Sequence, residues 1–294
     1  PSIGASFWGL DAGSEFGSAV CKLGDIDKDG FDDFAVGAPI GQSDVGYVEI
    51  YLGDSSGPSY GWRISGVSGE RFGASLAAAK LDGDSWPDLL VGAPGADAAR
   101  GQVRIYANTS SGTSFVQQLS VDPGSVPARD GAQFGAALST GDYDQDGFGD
   151  IAIGAPYDDS DGDGDAADDQ GRVYVFKGSS FGSFSTVPQS TLTATSPQGG
   201  AHFGMALTTG DFTDSGYMDL AVGEPDYDIG TQVDSGRVNV FYGSSTGPGS
   251  VDWQVLDISG RHGFALAAGD SDGDGYDDLA IGAPKWFETS TSTV

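Results

Sequence analysis

One segment recurs five times along the chain, and this repetition limits the possible folds more than any other feature. Each copy begins with Phe-Gly, or with His-Gly in the fifth, continues through an Asp-rich stretch and ends at a Gly-x-Pro triplet. The copies span 16–39, 72–94, 134–156, 203–225 and 262–284. A fixed period of about 60 residues is typical of propellers and solenoids. We therefore predict a single repeat domain over residues 1–294.

Each repeat predicts a small antiparallel sheet. In the third copy a run of small and apolar residues, 134–141, precedes the acidic loop, and the β-branched stretch 151–156 follows it and ends at a proline. Proline cannot donate to a strand ladder, so it ends the second strand. Alternating apolar residues at 172–176 predict a third strand, and 191–194 predict a weaker fourth. Four antiparallel strands per repeat predict an all-β fold, a β-propeller of four-stranded blades.

The two ends of the chain bear on how such a ring would close. Ser6–Leu10 lies as far before the first Phe-Gly pair as the predicted fourth strand of the first repeat lies before the second Phe-Gly pair. Residues 285–294 can add one further strand to the fifth repeat. We therefore predict five blades, with residues 1–15 completing the last one. The weak strand signal of 288–293 leaves an alternative open, in which the chain is an excised part of a larger ring.

Charge and composition exclude several classes of protein. The formal net charge is −30, which argues against binding to nucleic acid or an anionic membrane, because both require Lys and Arg to neutralise phosphate. Nearly all of the acid is Asp, a short ligand suited to tight cation loops. No stretch of about 18 apolar residues is present, so no membrane insertion is expected. The single cysteine allows no intrachain disulfide.

The acidic loops of the first, third and fifth repeats predict calcium sites. In an oxygen-lined loop, side chains at positions 1, 3, 5 and 9 and the carbonyl of position 7 bind Ca²⁺, while glycine at position 6 makes the turn. Strand-like flanks and the absence of a bidentate Glu at position 12 distinguish these loops from EF-hands. The predicted ligands are Asp25, Asp27, Asp29, Phe31 and Asp33; Asp142, Asp144, Asp146, Phe148 and Asp150; and Asp270, Asp272, Asp274, Tyr276 and Asp278.

The second loop departs from this pattern. Lys80 replaces the first Asp and Ser85 replaces the glycine. We predict that this loop is free of metal, with the Lys80 ammonium among the carboxylates of Asp82, Asp84 and Asp88 in place of the ion.

The fourth loop keeps its first and last carboxylates but has hydroxyls in the middle. Hydroxyl oxygens still coordinate Ca²⁺, with less charge. A weak fourth site, or none, is therefore expected at Asp211, Thr213, Ser215 and Asp219.

Apparent catalytic motifs have a structural explanation. Gly53–Gly57 and Gly243–Gly247 fit G-x-S-x-G, but an elbow nucleophile requires a strand-to-helix turn and a histidine partner. Ser/Gly clusters recur between the third and fourth strands, so they predict hairpin turns. His202 and His262 lie beside Phe-Gly positions, where packing or a hydrogen bond is expected. We predict that the chain is not an enzyme.

The repeat resembles the FG-GAP repeat family, known from the propeller of integrin α-subunits. Four copies match Phe-Gly and four match Gly-Ala-Pro, while His262-Gly263 and Gly223-Glu224-Pro225 depart from the pattern. The resemblance implies a propeller with calcium loops on one face and partner binding on the opposite face. Integrin propellers have seven such units. If the chain is an excised part of a larger ring, that ring would therefore have seven blades.

The expected function follows from this resemblance. We predict a non-enzymatic, calcium-binding module, extracellular, either secreted or on the cell surface, that mediates adhesion or binds a protein or glycan ligand through the loops opposite the calcium loops. Two alternatives remain open: an accessory or truncated propeller of a secreted enzyme acting on polysaccharide or lipid, and a lectin. On those loops, Tyr157 and Tyr227 are interpreted as sugar-stacking or as loop-anchoring residues, and the acidic loop 157–171 as a cation site, a basic-partner site or a solvated loop.

Overall fold

Short antiparallel strands make up nearly all of the regular structure. The computed structural model describes residues 6–9, 11–108, 115–121, 130–159, 169–180, 185–256 and 260–284. Two short helical segments, Gln42–Asp44 and Ala96–Ala99, are the helices of this part of the chain, and neither could cross a membrane. The strands are β1 Ala19–Gly24, β2 Asp33–Ala38, β3 Val45–Leu52, β4 Ser59–Ser68, β5 Ser75–Ala79, β6 Asp88–Ala93, β7 Gln102–Asn108, β8 Phe115–Val121, β9 Ala137–Gly141, β10 Asp150–Ala155, β11 Arg172–Phe176, β12 Ser190–Leu192, β13 Ala206–Gly210, β14 Asp219–Glu224, β15 Arg237–Phe241, β16 Trp253–Leu256, β17 Ala265–Gly269 and β18 Asp278–Gly282.

Each repeat forms one sheet, which we call a blade. Blades 1 to 4 are four-stranded and antiparallel, with their strands in chain order, and blade 5 contains β17 and β18 in the described residues. The register is regular: in blade 3, Ala152 of β10 lies opposite Ser139 of β9 and Val175 of β11. The all-β prediction is confirmed, and the stacked sheets give a propeller-like fold. Residues 285–294, which include the predicted strand, lie outside the described residues.

The blades stack through their first strands. These strands contact one another in the series β1, β5, β9, β13 and β17. They are rich in Ala, Ser, Thr and Gly, and such small side chains allow neighbouring backbones to approach closely. The second strand of each of blades 2, 3 and 4 is buried along its whole length, as expected for the middle of a layered stack.

The hydrophobic core lies between blades rather than inside any one of them. One cluster joins Leu23 and Val48 of blade 1 to Phe72 and Val91 of blade 2, and similar clusters join the later pairs of blades. The Phe of the Phe-Gly pair is fully buried in blades 2, 3 and 4, where it contributes about 1.5–3 kcal/mol by leaving water. Blades therefore stabilise one another, as in other repeat proteins.

The glycines that bracket each repeat meet at the contact between blades. A Cβ on Gly37 would lie 2.1 Å from the carbonyl oxygen of Gly73, so only glycine fits. Gly73 itself has a φ of +89°, which favours glycine for a second reason. We call this contact the inter-blade joint. It recurs between Gly92 and Gly135 at 2.2 Å, Gly154 and Gly204 at 2.1 Å, and Gly223 and Gly263 at 2.0 Å.

The N-terminal segment does not form the predicted closing strand in the described residues. Residues 6–9 belong to no strand, and the ring of Phe7 packs against Phe34 and Tyr51 of blade 1, with centroid distances of 5.8 and 4.3 Å. The prediction of a strand is therefore wrong for these four residues. Phe7 therefore covers aromatic surface of blade 1. Whether the ring has five blades or belongs to a larger ring stays a prediction.

Candidate metal centres

Three groups of carboxylates converge in the hairpin loops between the first and second strands. In loop 1, Asp25, Asp27 and Asp29 each bring an oxygen within 4.8 Å of the others. The described part of the chain contains three such acidic groups, and they fall in the three loops for which calcium was predicted. The other two groups are Asp142, Asp144 and Asp146 in loop 3, and Asp270, Asp272 and Asp278 in loop 5.

The first carboxylate of the loop organises the backbone around it. In loop 1, Asp25 accepts hydrogen bonds from the amides of Asp29 and Gly30 at 3.0 and 2.9 Å. In loop 3, Asp142 accepts the equivalent bonds from Asp146 and Gly147 at 3.1 and 3.0 Å. The position-6 glycine adopts a positive φ, +97° at Gly30, where a side chain would be strained. The loop backbone thus holds positions 1, 3 and 5 together.

The clustered carboxylates destabilise one another in the absence of a cation. Partial burial raises the pKa of Asp27, and the neighbouring charges of Asp29 and Asp25 raise it further. Like charges at this separation repel, and a divalent cation would convert that repulsion into attraction. Three carboxylates with oxygen-only ligands suit a hard cation such as Ca²⁺.

The ninth-position Asp has a second role that the sequence pattern did not reveal. The two carboxylate oxygens of Asp150 accept hydrogen bonds from the amides of Tyr143 and Gly178, at 2.9 and 2.8 Å. Gly178 follows the third strand, so this buried carboxylate ties the metal loop to the next turn of its own blade. Asp33 makes the same pair of bonds in loop 1, to Ile26 and Gly53, both at 2.7 Å. We call this arrangement the carboxylate clamp.

The clamp does not exclude metal binding, because each carboxylate oxygen has a second lone pair. Coordination by Asp33 and Asp150 stays a prediction, as does coordination by the carbonyls of Phe31, Phe148 and Tyr276. In loop 5, Asp278 belongs to the acidic group and Asp274 lies outside it. Asp274 instead accepts a hydrogen bond from the amide of Tyr276 at 2.9 Å.

Loop 2 keeps the clamp without the triplet. Asp88 accepts the amides of Leu81 and Asn108 at 3.0 and 3.1 Å, and burial raises its pKa to about 7. The predicted insertion of Lys80 is wrong: its side chain is exposed, and it makes no ion pair with the described residues. An exposed ammonium keeps its hydration, which an acidic loop this open cannot replace.

Loop 4 has the backbone shape of a metal loop with fewer charges. Asp211 accepts the amides of Ser215 and Gly216 at 3.1 and 2.9 Å, as the first Asp does in loops 1 and 3. The Thr213 hydroxyl points to Asp219 at 3.4 Å. Calcium binding here stays a prediction.

Loop 3 contains a cationic side chain that the sequence reasoning missed. Lys177, the residue after β11, forms ion pairs with Asp144 and, at 3.0 Å, with Asp146. These contacts raise the pKa of Lys177 above its usual range. The ammonium occupies part of the space between two predicted ligands, so it competes with a cation. No local motif marks this lysine, because it is 33 positions from Asp144 in sequence.

The opposite face, formed by loops after each Gly-x-Pro and before each Phe-Gly, carries a chain of polar contacts across blades 3 to 5. The Tyr157 ring lies 4.6 Å from that of His202, and His202 Nδ1 is 2.7 Å from Asp226. Arg261 also contacts Asp226, at 2.7 Å. Burial acts to raise the pKa of Asp226, but the hydrogen bonds from His202 and Arg261 outweigh this effect, so the pKa is lowered. The predicted hydrogen-bonding role of His202 is confirmed.

Two other features of this face are explained by packing. Glu224, which replaces Ala in the fourth Gly-x-Pro, is buried and pairs with Arg237 at 2.6 Å. The ring of Tyr227 lies 3.8 Å from the Arg237 guanidinium, so this tyrosine anchors its loop. In the acidic loop, buried Asp158 accepts a hydrogen bond from the Tyr174 hydroxyl, and residues 160–168 lie outside the described residues.

The serine-containing turns have no catalytic geometry. The amide of Gly247 bonds to the carbonyl of Ser244 at 2.7 Å, and that of Gly57 bonds to Asp54 at 3.0 Å. Both segments are tight turns between the third and fourth strands, as predicted.

Stacked four-stranded sheets with Asp-rich hairpin loops define a repeat protein of propeller-like architecture. A model of the FG-GAP repeat matches residues 72–113, 134–176 and 262–294, and a model of the FG-GAP-like repeat matches 25–91. The chain belongs to the FG-GAP repeat family.

Named relatives include integrin alpha subunits and a phospholipase D. The chain is 35% identical over 216 residues to integrin alpha-PS2 of Drosophila melanogaster, covering 68% of this chain and 14% of that protein. It is 34% identical over 216 residues to integrin alpha-V of Gallus gallus, covering 68% and 19%. It is 35% identical over 163 residues to phosphatidylinositol-glycan-specific phospholipase D of Rattus norvegicus, covering 52% and 19%. The chain thus spans less than a quarter of each relative.

Among solved structures, an exotype rhamnogalacturonan lyase, YesX, aligns over 82% of this chain and 47% of its own, with a TM-score of 0.45 and 15% identity. A likeness this weak supports no conclusion about function.

Proposed function

We propose that this chain is an extracellular, calcium-stabilised interaction module whose partner, a protein or a glycan, binds the face opposite the metal loops. The observation that carries the proposal is the convergence of three carboxylates within 4.8 Å in each of loops 1, 3 and 5. Extracellular fluid holds Ca²⁺ at concentrations that fill even the weaker loops of this type. Similarity to integrin alpha subunits supports the same setting.

The charge distribution favours the opposite face for partner binding. The metal-loop face carries the Asp clusters, whereas the opposite face carries most of the arginines, and Glu70, Glu224 and Asp226 are paired with them. Arg104 pairs with Glu70 at 2.6 Å in the same manner as Arg237 with Glu224. Because these three acids are neutralised locally, the part of the opposite face that they occupy repels an acidic partner less than the metal-loop face does.

Thermal unfolding in excess Ca²⁺ and then in chelator tests the calcium part. The midpoint should fall on chelation, because an ion that binds only the folded loop stabilises it. Asp27→Asn removes a carboxylate from the loop 1 triplet and should reduce this fall. Asp82→Asn, at the same loop position in loop 2, which lacks the triplet, should leave it unchanged. Equal midpoints for the unaltered chain with and without Ca²⁺ would contradict the proposal.

Variants on the two faces test the partner part. Arg71 is exposed beside Phe72 on the opposite face and has a φ of +53°, which asparagine tolerates, so Arg71→Asn changes charge with little strain. Lys28→Asn, at a φ of +63° on the metal-loop face, is the matched control. Binding to a glycan panel or to captured cell-surface proteins should weaken in the first variant only. Loss in the control alone would place the partner on the metal-loop face.

A second candidate is an accessory propeller of an enzyme that acts on lipid. The observation that favours it is the similarity to phosphatidylinositol-glycan-specific phospholipase D. Under either candidate the purified chain should cleave no substrate by itself. Cleavage of such a phospholipid or of a polysaccharide by the chain alone would contradict the non-enzymatic assignment.

A further inference from the structure

Neighbouring acidic loops are joined by one recurring backbone hydrogen bond. The amide at position 8 of a loop donates to the carbonyl at position 1 of the loop in the preceding blade. Within the described residues, the bonds of this kind join Gly149 to Lys80 at 2.9 Å, Met218 to Asp142 at 3.4 Å and Asp277 to Asp211 at 3.0 Å. Loop 2 has Pro87 at position 8, which has no amide hydrogen to donate to loop 1. Loops 2 to 5 are therefore bound in series.

The connection between loops 4 and 5 is doubled. In addition to the bond from the Asp277 amide, the amide of Asp211 donates to the Asp277 carboxylate at 2.9 Å. The side chain of Asp211 faces its own loop, where it accepts the amides of Ser215 and Gly216. Asp211 thus holds loop 4 with its carboxylate and loop 5 with both of its backbone groups.

Asp277 lies between two residues of the candidate cation site in loop 5. Asp278 belongs to the acidic group, and the carbonyl of Tyr276 is a predicted ligand. The Tyr276 carbonyl and the Asp277 amide form one planar trans peptide group, in which C=O and N–H point in opposite directions. Because Asp211 holds the amide, the orientation of this carbonyl is fixed as well.

We propose that Asp211 is a positioning residue for the calcium site of loop 5. This role rests on the proposed function, because it requires that loop 5 binds calcium. A ligand that is held in place before the ion arrives loses less conformational freedom on binding, so the affinity of the site is higher. Loop 4, all of which the structure describes, has no carboxylate triplet of its own. Its metal-loop backbone serves the site of the next blade.

Substitutions at Asp277 test this role without changing a member of the acidic group. Asp277→Ala removes the acceptor of the Asp211 amide, whereas Asp277→Asn removes the same charge and retains an acceptor oxygen. Both are made in a parent chain with Asp27→Asn and Asp144→Asn, which weaken the sites of loops 1 and 3. Calorimetric titration with Ca²⁺ should show binding at loop 5 about fivefold weaker in Asp277→Ala than in Asp277→Asn.

A second pair of variants changes loop 4 alone. Asp211→Ala removes both acceptors of the loop 4 amides, and Asp211→Asn, which loses the same charge, retains one. Calcium binding at loop 5 should again be weaker in the alanine variant. Equal affinity within either pair would overturn the role of Asp211 and leave calcium binding intact. A parent chain that binds no calcium would contradict the proposed function, and this role with it.

Discussion

Loops 2 and 3 occupy the same place in neighbouring blades, but their acidic residues are arranged differently in space. Both keep the carboxylate clamp, through Asp88 in one and Asp150 in the other. Only loop 3 adds the converging triplet. The comparison separates two roles that the motif D-x-D-x-D-G-x-x-D merges. In loop 3 its last Asp holds the blade together, and its first three carboxylates form the candidate cation site.

The largest effect should come from removing the clamp. Asp88→Ala leaves the buried amides of Leu81 and Asn108 without acceptors, and should cost about 3 kcal/mol of unfolding free energy. Because loop 2 lacks a triplet, the loss should be the same with Ca²⁺ and with chelator. Urea unfolding measures it, with the half-buried Asp82→Ala, outside the clamp, as the control. A loss below that of the control would show that the clamp does not stabilise the blade.

The triplet should matter most when calcium is present. Asp144→Asn in loop 3 should remove up to about 2.7 kcal/mol of stability at a Ca²⁺ concentration 100-fold above the dissociation constant. In chelator the same variant should cost much less, because relief of the repulsion between carboxylates offsets the lost ion pair with Lys177. Denaturant unfolding under both conditions measures the difference, and Asp82→Asn in loop 2 is the control. A loss of the same size in chelator would assign Asp144 a purely structural role.

Acid should stabilise the chelated protein through the clamps. Burial raises the pKa of Asp88 and of Asp150 to about 7, above the value of the unfolded chain. A group whose pKa is higher in the folded chain than in the unfolded chain stabilises the fold fully at pH values below its unfolded pKa. This stabilisation is lost as the pH rises through its folded pKa. Unfolding midpoints in urea should therefore fall between pH 5 and pH 8 in chelator. A midpoint that rises over this range would contradict the role of these buried groups.

The smallest effect should come from the lysine of loop 3. Lys177→Met removes the ammonium from Asp144 and Asp146 and should tighten calcium binding at this loop several-fold. Leu52 precedes the clamped Gly53 of loop 1 as Lys177 precedes the clamped Gly178, so Leu52→Lys should weaken loop 1 in return. Calorimetric titration measures both. Unchanged affinity in both variants would mean that the ammonium leaves the loop at no cost.

The sequence predicted the features that are local to one repeat. Hairpins, blade strands and the acidic groups of loops 1, 3 and 5 follow from alternation and spacing within some 25 residues. The clamp bonds of Asp150 and the ion pair of Lys177 did not follow, because their partners lie 28 and 33 positions away. The packing of Phe7 against blade 1 was missed for a related reason. The spacing of Ser6–Leu10 before the first Phe-Gly pair resembles that of a fourth strand, but it does not show which blade the segment contacts.

The last Asp of the loop in blade 5 differs from its counterparts in exposure and in pKa. Among the described residues, no third strand accompanies β17 and β18, and Asp278 is exposed there, whereas Asp33, Asp88, Asp150 and Asp219 are buried. Its pKa is lowered by hydrogen bonds from Ser271, the opposite direction from Asp88 and Asp150. The same residue at the same loop position is thus buried with a raised pKa in blades 2 and 3 and exposed with a lowered pKa in blade 5.

The stoichiometry of calcium binding tests the central claim most directly. Equilibrium dialysis of the unaltered chain should find three bound ions, one for each triplet, with any fourth at much weaker affinity. Removing one triplet by Asp25→Asn with Asp27→Asn should lower the number to two, and Asp82→Asn with Asp84→Asn in loop 2 should leave it at three. No bound calcium at millimolar concentration, or an equal loss in both double variants, would contradict the assignment of the triplets as metal centres.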